Sequence, residues 1–277
     1  MKDMVDMKNI YEFPLLKDFL RVIDLIYQSG WGENNGGNVS VMIDESLLLD
    51  YLDINKVIRV IDLSFDASYL ANKYFIVTAT SSYFRNIKKD PESLLGIFKV
   101  SPNGKQVFLL WGYKANNLFT SELPTHLMVH ASRLKIDPLN RVVMHCHPNS
   151  IITMSHVHEL NDQSFSLSLW RTMTEAIVVF PEGVGVLPWM QSGTTEIGIA
   201  TSEKIKNHRL VIWAMHGIYG VGQSLDTVFG LIEVAEKAAE IYLSCKPHEI
   251  LNNITNDQLK EIAAFYKVKN VRYEFLK

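Results

Sequence analysis

The sequence has few cysteines and no strong excess of either charge. Its 277 residues include only Cys146 and Cys245, so a disulfide framework is excluded, and two reduced thiols in a cytoplasmic protein are expected. Lysine and arginine number 27 against 30 aspartates and glutamates, which gives a net charge of −3. The chain therefore has no global basic field to attract nucleic acid or an anionic membrane. A local pocket for a small anion is compatible with this balance.

Long hydrophobic runs are also absent. Residues 1–10 mix charged and apolar side chains, unlike the apolar core of a secretory signal. The leucine- and isoleucine-rich stretch 47–63 is interrupted by Asp50, Asp53, Lys56 and Arg59, which makes it a poor membrane span. Because 47% of the residues are hydrophobic and 21% charged, the composition is that of a soluble enzyme with a substantial core. We expect a soluble cytoplasmic protein.

The spacing of apolar residues predicts a mixed α/β architecture. Helices are predicted over 10–28, 121–134, 194–207, 225–244 and 257–267, and strands over 39–43, 75–80, 96–100, 106–112, 141–147, 176–180 and 209–217. Asn103-Gly104 predicts a hairpin turn. No repeat or long linker divides the chain. The sequence therefore predicts one α/β domain over residues 1–277, with a mixed, mainly antiparallel central sheet covered by helices on both faces.

An H-x-H motif at the end of a predicted strand is the first candidate site. His145 and His147 lie two residues apart, so their side chains point to the same face of the strand and can converge on one ion. Cys146 points to the opposite face and is a poor candidate ligand. A catalytic zinc ion commonly has three protein ligands and one open position. His216, just before Gly217 at the end of another predicted strand, is the candidate third ligand, and Glu122 is a nearby candidate base.

Other histidines offer alternatives to this site. Glu122, His126 and His130 are spaced four residues apart and could form one face of a helix, as in zinc proteases. However, Pro124 predicts a helix start that leaves Glu122 outside the regular helix. His156 and His158 form a second H-x-H pair among polar residues and are expected at the surface. An isolated H-x-H pair is more often structural than metal-binding, so spacing alone indicates only a possible zinc site.

The order of several short segments extends this interpretation. The chain contains NNGGN, TATSSYFRN, LLWG, TSELPTH, RVVMHCHPN, VVFPEGVGVLPW and WAMHGIYG, in this order. From about Trp31 to Ser244 it resembles the class II aldolases, the family that also includes pentulose-phosphate epimerases and the adducin head. The HCH, SELP and FPEGVGVLPW segments together favour the rhamnulose-phosphate branch of that family over its shorter relatives.

The resemblance implies roles for five residues. His145, His147 and His216 would bind one Zn²⁺ per subunit, and the ion would act as a Lewis acid on the carbonyl of a ketose phosphate. Glu122 would be the catalytic base, on or near the metal. Glu175 matches an acidic residue that acts near the substrate; strand periodicity alone would make it a solvated charge. The resemblance also implies a homotetramer with active sites near subunit interfaces.

A phosphate site is also implied by the resemblance. Asn35, Asn38, Thr80, Thr120 and Ser121 match the family's phosphate-binding positions. Amides and hydroxyls in glycine-rich turns can hold a dianion without lysine. By itself, NNGGN is more often a plain turn. Where the family has a glycine–serine–glycine turn, this chain has Ala79-Thr80-Ser81, so we expect Thr80 to keep the hydroxyl in a changed loop.

Two other classes of function remain. Fuculose-phosphate aldolases, pentulose-phosphate 4-epimerases and thioribulose-phosphate dehydratases share the histidines and differ in the residues that surround the substrate. A non-catalytic scaffold such as the adducin head would lack the metal histidines and the base. Since all four residues are present here, the resemblance implies an enzyme that acts on a small sugar phosphate, without nucleic-acid or membrane partners.

Overall fold

The computed structural model describes residues 7–277 and contains one nine-stranded sheet with helices on both faces. The strands are β1 (Asn38–Ile43), β2 (Arg59–Asp62), β3 (Tyr74–Thr78), β4 (Leu95–Val100), β5 (Gln106–Gly112), β6 (Val142–Cys146), β7 (Val184–Leu187), β8 (Leu210–Trp213) and β9 (Gly217–Gly222). The α-helices are α1 (Pro14–Gln28), α2 (Glu45–Leu48), α3 (Phe84–Ile87), α4 (Pro91–Leu94), α5 (Leu123–Leu134), α6 (Asn149–Val157), α7 (Asp162–Trp170), α8 (Thr174–Val179), α9 (Thr195–Lys204), α10 (Leu225–Cys245) and α11 (Asn256–Phe265).

The strand order is β2-β5-β4-β3-β1-β6-β9-β8-β7. Neighbouring strands are antiparallel except β7 and β8, which are parallel. This confirms the predicted mixed, mainly antiparallel sheet, including the hairpin of β4 and β5. Strands β1, β6 and β9 are central neighbours, and they carry most of the candidate site.

Alternation along the central strands separates two cores. On β1, Val39 and Val41 pack with α1 and α10, whereas Met42 packs on the opposite face with α5. Strand β6 follows the same rule, because Cys146 lies buried in the α10 core while His145 lies on the other face. The sheet is therefore covered on both faces, as predicted. Within residues 7–277, no helix combines the length and apolar composition that a membrane span requires.

The predicted strand at 176–180 is wrong, because residues 176–179 belong to helix α8 and Phe180 is its C-cap. In a short apolar run, periodicity alone does not distinguish a strand from a buried helical turn. Ala176, Ile177 and Phe180 are buried, which is helical spacing, and the helix packs against α10 and α11. Pro181 follows directly and prevents the helix from continuing.

The predicted strand at 209–217 is in fact two strands joined by a tight turn. Strand β8 ends at Trp213, and Gly217 begins β9 rather than ending a strand. The backbone N–H of His216 donates to the carbonyl of Trp213 at 3.0 Å, and Met215 has a φ of +57°. The segment contains several β-branched and aromatic residues, which favour a strand, and it has no glycine or proline before Gly217 to indicate a turn. His216 therefore lies in the turn and not at a strand end.

Candidate active site

Three histidines meet at one end of the central strands. His145 is the fourth residue of β6, His147 follows that strand directly, and His216 comes from the turn between β8 and β9. One ring nitrogen of each lies within 4.8 Å of the others. His145 is fully buried, and His147 and His216 are partly buried. The antiparallel pairing of β6 with β9 brings these distant parts of the chain together.

Hydrogen bonds orient two of the rings so that they could hold a metal. The Nδ1 of His145 donates to the carbonyl of Ile218 at 3.0 Å, and the Nδ1 of His147 donates to the Glu33 carboxylate at 2.7 Å. Both Nε2 atoms are then left with lone pairs, although they lie only 3.3 Å apart. Two lone pairs at this distance repel each other unless a cation lies between them. The donor set therefore fits a divalent metal, with Ile218 and Glu33 fixing the rings.

The pKa values of two of the three histidines are lowered, which favours the neutral imidazole. Burial, followed by the neighbouring His147 and His216 rings, lowers the pKa of His145 well below its usual value. Burial and His147 also lower the pKa of His216. A neutral imidazole is the form that binds a metal, so protons compete weakly for these positions.

Two glycines allow the loops to approach the histidines. A Cβ on Gly217 would lie 2.4 Å from the carbonyl oxygen of Cys146 and 2.9 Å from the His147 ring. A Cβ on Gly36 would lie 2.7 Å from the His147 ring. The second contact gives NNGGN a physical reason to contain glycine, because the loop packs directly on His147.

Glu122 lies beside the histidine cluster at the N-terminus of α5. It occupies the N-cap position, outside the helix Leu123–Leu134 as the sequence predicted. Its Oε2 lies 3.8 Å from the Nε2 of His145, accepts a hydrogen bond from Asn38 Nδ2 at 3.2 Å and accepts another from the Tyr219 hydroxyl. The side chain is largely buried, so a carboxylate is held next to the possible metal position and at the edge of a cavity.

All the predicted phosphate residues line this same cavity, whose volume is about 300 Å³. It is bordered by Asn35, Asn38, Thr80, Thr120, Ser121, Glu122 and the three histidines. Lysine and arginine are absent from the described residues that line it. Asn38 makes two bonds inside the protein, because its Oδ1 bonds to His126 and its Nδ2 to Glu122. One N–H of its amide remains for a ligand.

The loop that departs from the family's glycine–serine–glycine pattern keeps an unusual backbone. Ser81 has a φ of +53°, a left-handed conformation that glycine adopts at lower cost. The Thr80 N–H donates to the carbonyl of Leu118 at 2.8 Å, which holds the loop against the segment before α5. The loop therefore retains a turn that suits glycine and bears Thr80 at the cavity.

Glu175 is not brought to the cavity by its own chain. It is exposed in the first turn of α8 and is not among the residues that line the site. A role near the substrate would therefore require another copy of the chain to present it.

The alternative histidines are used in other ways. The nitrogens of His126 and His130 face Ser40 and Asn38, and the metal-competent cluster does not include them. His156 is exposed on α6, as predicted, and His158 bonds to Ser168 at 2.8 Å. The cluster of His145, His147 and His216 is therefore the group that the fold assembles.

Comparisons with known proteins agree with this arrangement. Residues 17–243 match the family described as "Class II Aldolase and Adducin N-terminal domain". The chain belongs to this family. It is 48% identical to the rhamnulose-1-phosphate aldolase of Listeria monocytogenes, over 95% of this chain and 96% of that protein. It is 45% identical to the rhamnulose-1-phosphate aldolase of Enterococcus faecalis, over 94% of each chain. The crystal structure of a sugar-phosphate aldolase from Thermotoga maritima superposes with a TM-score of 0.73 at 29% identity, covering 84% of this chain and 95% of that one.

Membership of the family, together with 48% and 45% identity to rhamnulose-1-phosphate aldolases, makes this chain a lyase that cleaves carbon–carbon bonds by a retro-aldol reaction. Class II aldolases depend on a metal, and the three histidines of this chain form a group that could bind one. The predictions of fold and enzyme class made from the sequence are thus confirmed.

Two residues of this class II aldolase site were missed by sequence reasoning. Tyr219 reaches Glu122 from β9, and its ring stacks on His145 at a centroid distance of 4.5 Å. Alternation from Gly217 could have placed Tyr219 on the site face if β9 had been recognised. Glu33 bonds to His147 from the loop before β1, and no local pattern distinguishes it from a solvated charge.

His126, which is buried in the core beside the class II aldolase site, predicts an acid-sensitive fold. Burial lowers the pKa of His126 to about 4, from 6.5. The unfolded chain therefore takes up a proton below pH 6.5 that the folded chain does not accept, and stability falls as the pH decreases from 6.5 towards 4. A difference of this size corresponds to about 3 kcal/mol.

Urea unfolding of the wild type and of His126→Gln, measured across this pH range, checks the prediction. The free energy of unfolding should fall more steeply in the wild type. Parallel pH profiles for the two proteins would contradict it.

Proposed function

We propose that the chain catalyses reversible cleavage of L-rhamnulose 1-phosphate to dihydroxyacetone phosphate and L-lactaldehyde, in the degradation of L-rhamnose. The observation that supports this substrate most strongly is 48% identity over 95% of the chain to an enzyme named rhamnulose-1-phosphate aldolase. The cavity agrees with it, because hydroxyl and amide groups for a phosphate adjoin a three-histidine cluster and a carboxylate. We also propose a cytoplasmic homotetramer in which each chain is one domain.

We propose that His145, His147 and His216 hold a zinc ion. Three imidazole nitrogens with one open position are a common catalytic zinc set. Tetrahedral zinc with Zn–N bonds of about 2.0–2.1 Å requires its nitrogen ligands to lie about 3.3 Å apart. The two Nε2 atoms of His145 and His147 are 3.3 Å apart. When bound, the metal supplies Lewis-acid polarisation of the ketose carbonyl.

Glu122 is the proposed proton carrier. In the cleavage direction the hydroxyl on the fourth carbon releases its proton, the bond between the third and fourth carbons breaks, and the fourth carbon becomes the aldehyde of L-lactaldehyde. The electron pair of the broken bond stays on the third carbon, beside the polarised carbonyl. Glu122 returns a proton to that carbon, and in the synthetic direction it removes the same proton from dihydroxyacetone phosphate. Asn38 and Tyr219 hold its Oε2 while this happens.

The remaining residues would bind the substrate. Asn35, Asn38, Thr80, Thr120 and Ser121 would hold the phosphate through hydroxyls and amides, at a distance from the metal set by the cavity. Glu175 would serve the cavity of a neighbouring copy, because its own chain leaves it exposed on α8. A homotetramer with sites near subunit interfaces allows this arrangement.

A coupled assay for dihydroxyacetone phosphate tests the substrate. We expect kcat/KM to be highest for L-rhamnulose 1-phosphate when it is compared with L-fuculose 1-phosphate. A parallel assay for 4-epimerisation of L-ribulose 5-phosphate should show no turnover. Faster cleavage of the fuculose ester, or epimerisation faster than cleavage, would assign the chain to another activity of its family.

Tyr219→Phe is expected to lower kcat about 10- to 100-fold without loss of metal. Burial and the neighbouring Glu122 raise the pKa of Tyr219 well above its usual value, so its hydroxyl stays protonated and donates to the carboxylate. A hydrogen bond to a charged group contributes about 1.5–3 kcal/mol. The kinetic constants and the metal content of the variant check this.

Tyr113→Phe is the matched control. Tyr113 is also buried, and its hydroxyl donates to the carbonyl of Val77 at 3.2 Å, outside the cavity. It should keep the wild-type kcat. Equal kcat values for Tyr219→Phe and the control would show that the hydrogen bond from Tyr219 to Glu122 does not contribute to catalysis.

A further inference from the structure

Two histidines and one serine form a polar group in the core that the proposed chemistry does not use. His126 and His130 lie one turn apart on α5, and Ser40 faces them from β1. All three side chains belong to fully buried residues with 0% exposure. Burying polar groups costs free energy unless they are hydrogen-bonded, so their contacts require an explanation.

These contacts form one continuous series of hydrogen bonds, the hydrogen-bond chain, which runs from His130 to Glu122. The hydroxyl of Ser40 lies 2.9 Å from His130 Nε2 and 2.7 Å from His126 Nδ1. His126 Nε2 bonds to Asn38 Oδ1, and Asn38 Nδ2 donates to Glu122 Oε2 at 3.2 Å. We propose that His126, Ser40 and His130 are positioning residues, which act through the Asn38 amide to hold the carboxylate of Glu122 in its catalytic orientation.

The direction of every bond follows from the carboxylate. An ionised carboxylate only accepts, so Asn38 must turn its NH₂ towards Glu122 and its oxygen towards His126. His126 must then carry its proton on Nε2, which leaves Nδ1 as an acceptor for the Ser40 hydroxyl. The Ser40 oxygen in turn accepts from His130 Nε2. All the donors therefore point towards Glu122.

His130, at the end of the hydrogen-bond chain opposite Glu122, agrees with this direction of donation. With its proton on Nε2, His130 has a bare Nδ1, and this buried atom has no partner among residues 7–277. Burial also lowers the pKa of both histidines, which keeps each ring neutral with a single N–H. A charged ring would donate from both nitrogens and break the sequence of donors and acceptors.

A purely structural role would not require this order. Apolar residues of similar volume would fill the space between α5 and β1 without a desolvation cost. What the hydrogen-bond chain adds is a second hold on the Asn38 amide, because the N–H of His126 keeps its oxygen turned away from Glu122. An oxygen facing the carboxylate would repel it and displace the proton carrier.

The test compares variants that remove or keep the donor at His126. His126→Leu removes the donor to Asn38, whereas glutamine can place an N–H near the position of Nε2. We expect His126→Leu to lower kcat about 10- to 100-fold with KM within about threefold of the wild type. His126→Gln should keep kcat within about threefold of the wild type, and the metal content of both should be unchanged.

A second pair separates positioning from folding. Ser40→Ala removes the link between the two histidines, and Ser166→Ala is the matched control. Ser166 is also fully buried with two partners, since it donates to Asp162 O at 2.6 Å and accepts from Val184 N–H at 2.9 Å, outside the cavity. We expect Ser40→Ala to lower kcat about 3- to 10-fold and Ser166→Ala to leave it unchanged, at similar losses of thermal stability.

The inference rests on the proposed role of Glu122, and the outcomes separate the two. A wild type that does not cleave the sugar phosphate would overturn both. An active wild type with His126→Leu and Ser40→Ala at the same kcat would overturn the positioning chain alone. Equal losses in His126→Leu and His126→Gln would also overturn it, because the restored donor would then have no effect.

Discussion

Substitution of His145 by alanine is expected to remove the metal and to reduce cleavage of the sugar phosphate at least about 1,000-fold. His145 is the most deeply buried of the three histidines, and its ring is held by Ile218 and stacked on Tyr219. The remaining His147 and His216 provide only two nitrogens, too few to hold zinc as a structural or catalytic site does. The zinc content per chain and kcat/KM measure the two effects.

The other H-x-H pair provides the control for His145. His156 is exposed on α6 and lies outside the cavity. His156→Ala should keep both the zinc content and the activity of the wild type. A His145→Ala protein with a full complement of zinc and normal turnover would show that the cluster is structural.

Substitution of Glu122 by glutamine is expected to lower kcat about 100- to 10,000-fold while the metal stays bound. Glutamine has nearly the same shape, so the surroundings of Asn38 and Tyr219 change little, but it cannot carry the proton. The most direct readout is exchange of the carbon-bound hydrogen of dihydroxyacetone phosphate with deuterated water in the absence of aldehyde. This exchange should disappear in the variant.

Glu33→Gln is the matched carboxylate control. Glu33 bonds to His147, and its side chain is 63% exposed. Its loss should weaken metal affinity about 10- to 100-fold. The exchange rate per bound metal should stay near the wild type. If Glu122→Gln lost metal and Glu33→Gln lost exchange, the two roles would have to be reversed.

Much of the fold follows from local patterns. The long helix α10 was predicted from apolar spacing within its own residues. The β4–β5 hairpin was predicted from Asn103-Gly104, which lies between its two strands. Helix α8 was misassigned because a five-residue apolar run is too short for periodicity to distinguish helix from strand. Its packing in the core decides that it is helical. The turn before His216 depends on the pairing of β8 with β9, which is a contact between strands that local sequence does not encode.

In the candidate site, too, local patterns predicted some features, whereas contacts between distant parts of the chain could not be predicted. Alternation on β6 was sufficient to place His145 and Cys146 on opposite faces. It could not predict that β9 would bring Tyr219 to Glu122, or that β1 would bring Ser40 to two histidines of α5. These contacts join residues more than 80 positions apart. Glu175 adds a further limit, since its proposed role depends on another copy of the chain.

Family resemblance supplied what the local patterns lacked. The roles of Asn35, Thr80, Thr120 and Ser121 had no support in spacing, yet the fold brings all four to one cavity with Glu122. Ser81 adopts a left-handed backbone at a position where the resemblance implies glycine. The ligand roles of these residues stay predictions.

We propose that cleavage of L-rhamnulose 1-phosphate by this enzyme depends on a metal held by His145, His147 and His216. The most direct test of this proposal is dihydroxyacetone phosphate release by purified protein before chelation, after complete metal removal, and after addition of one equivalent of zinc. We predict full activity, loss of at least about 1,000-fold, and recovery close to the first value. Cleavage that continues at the original rate in protein shown to contain no metal would contradict the account.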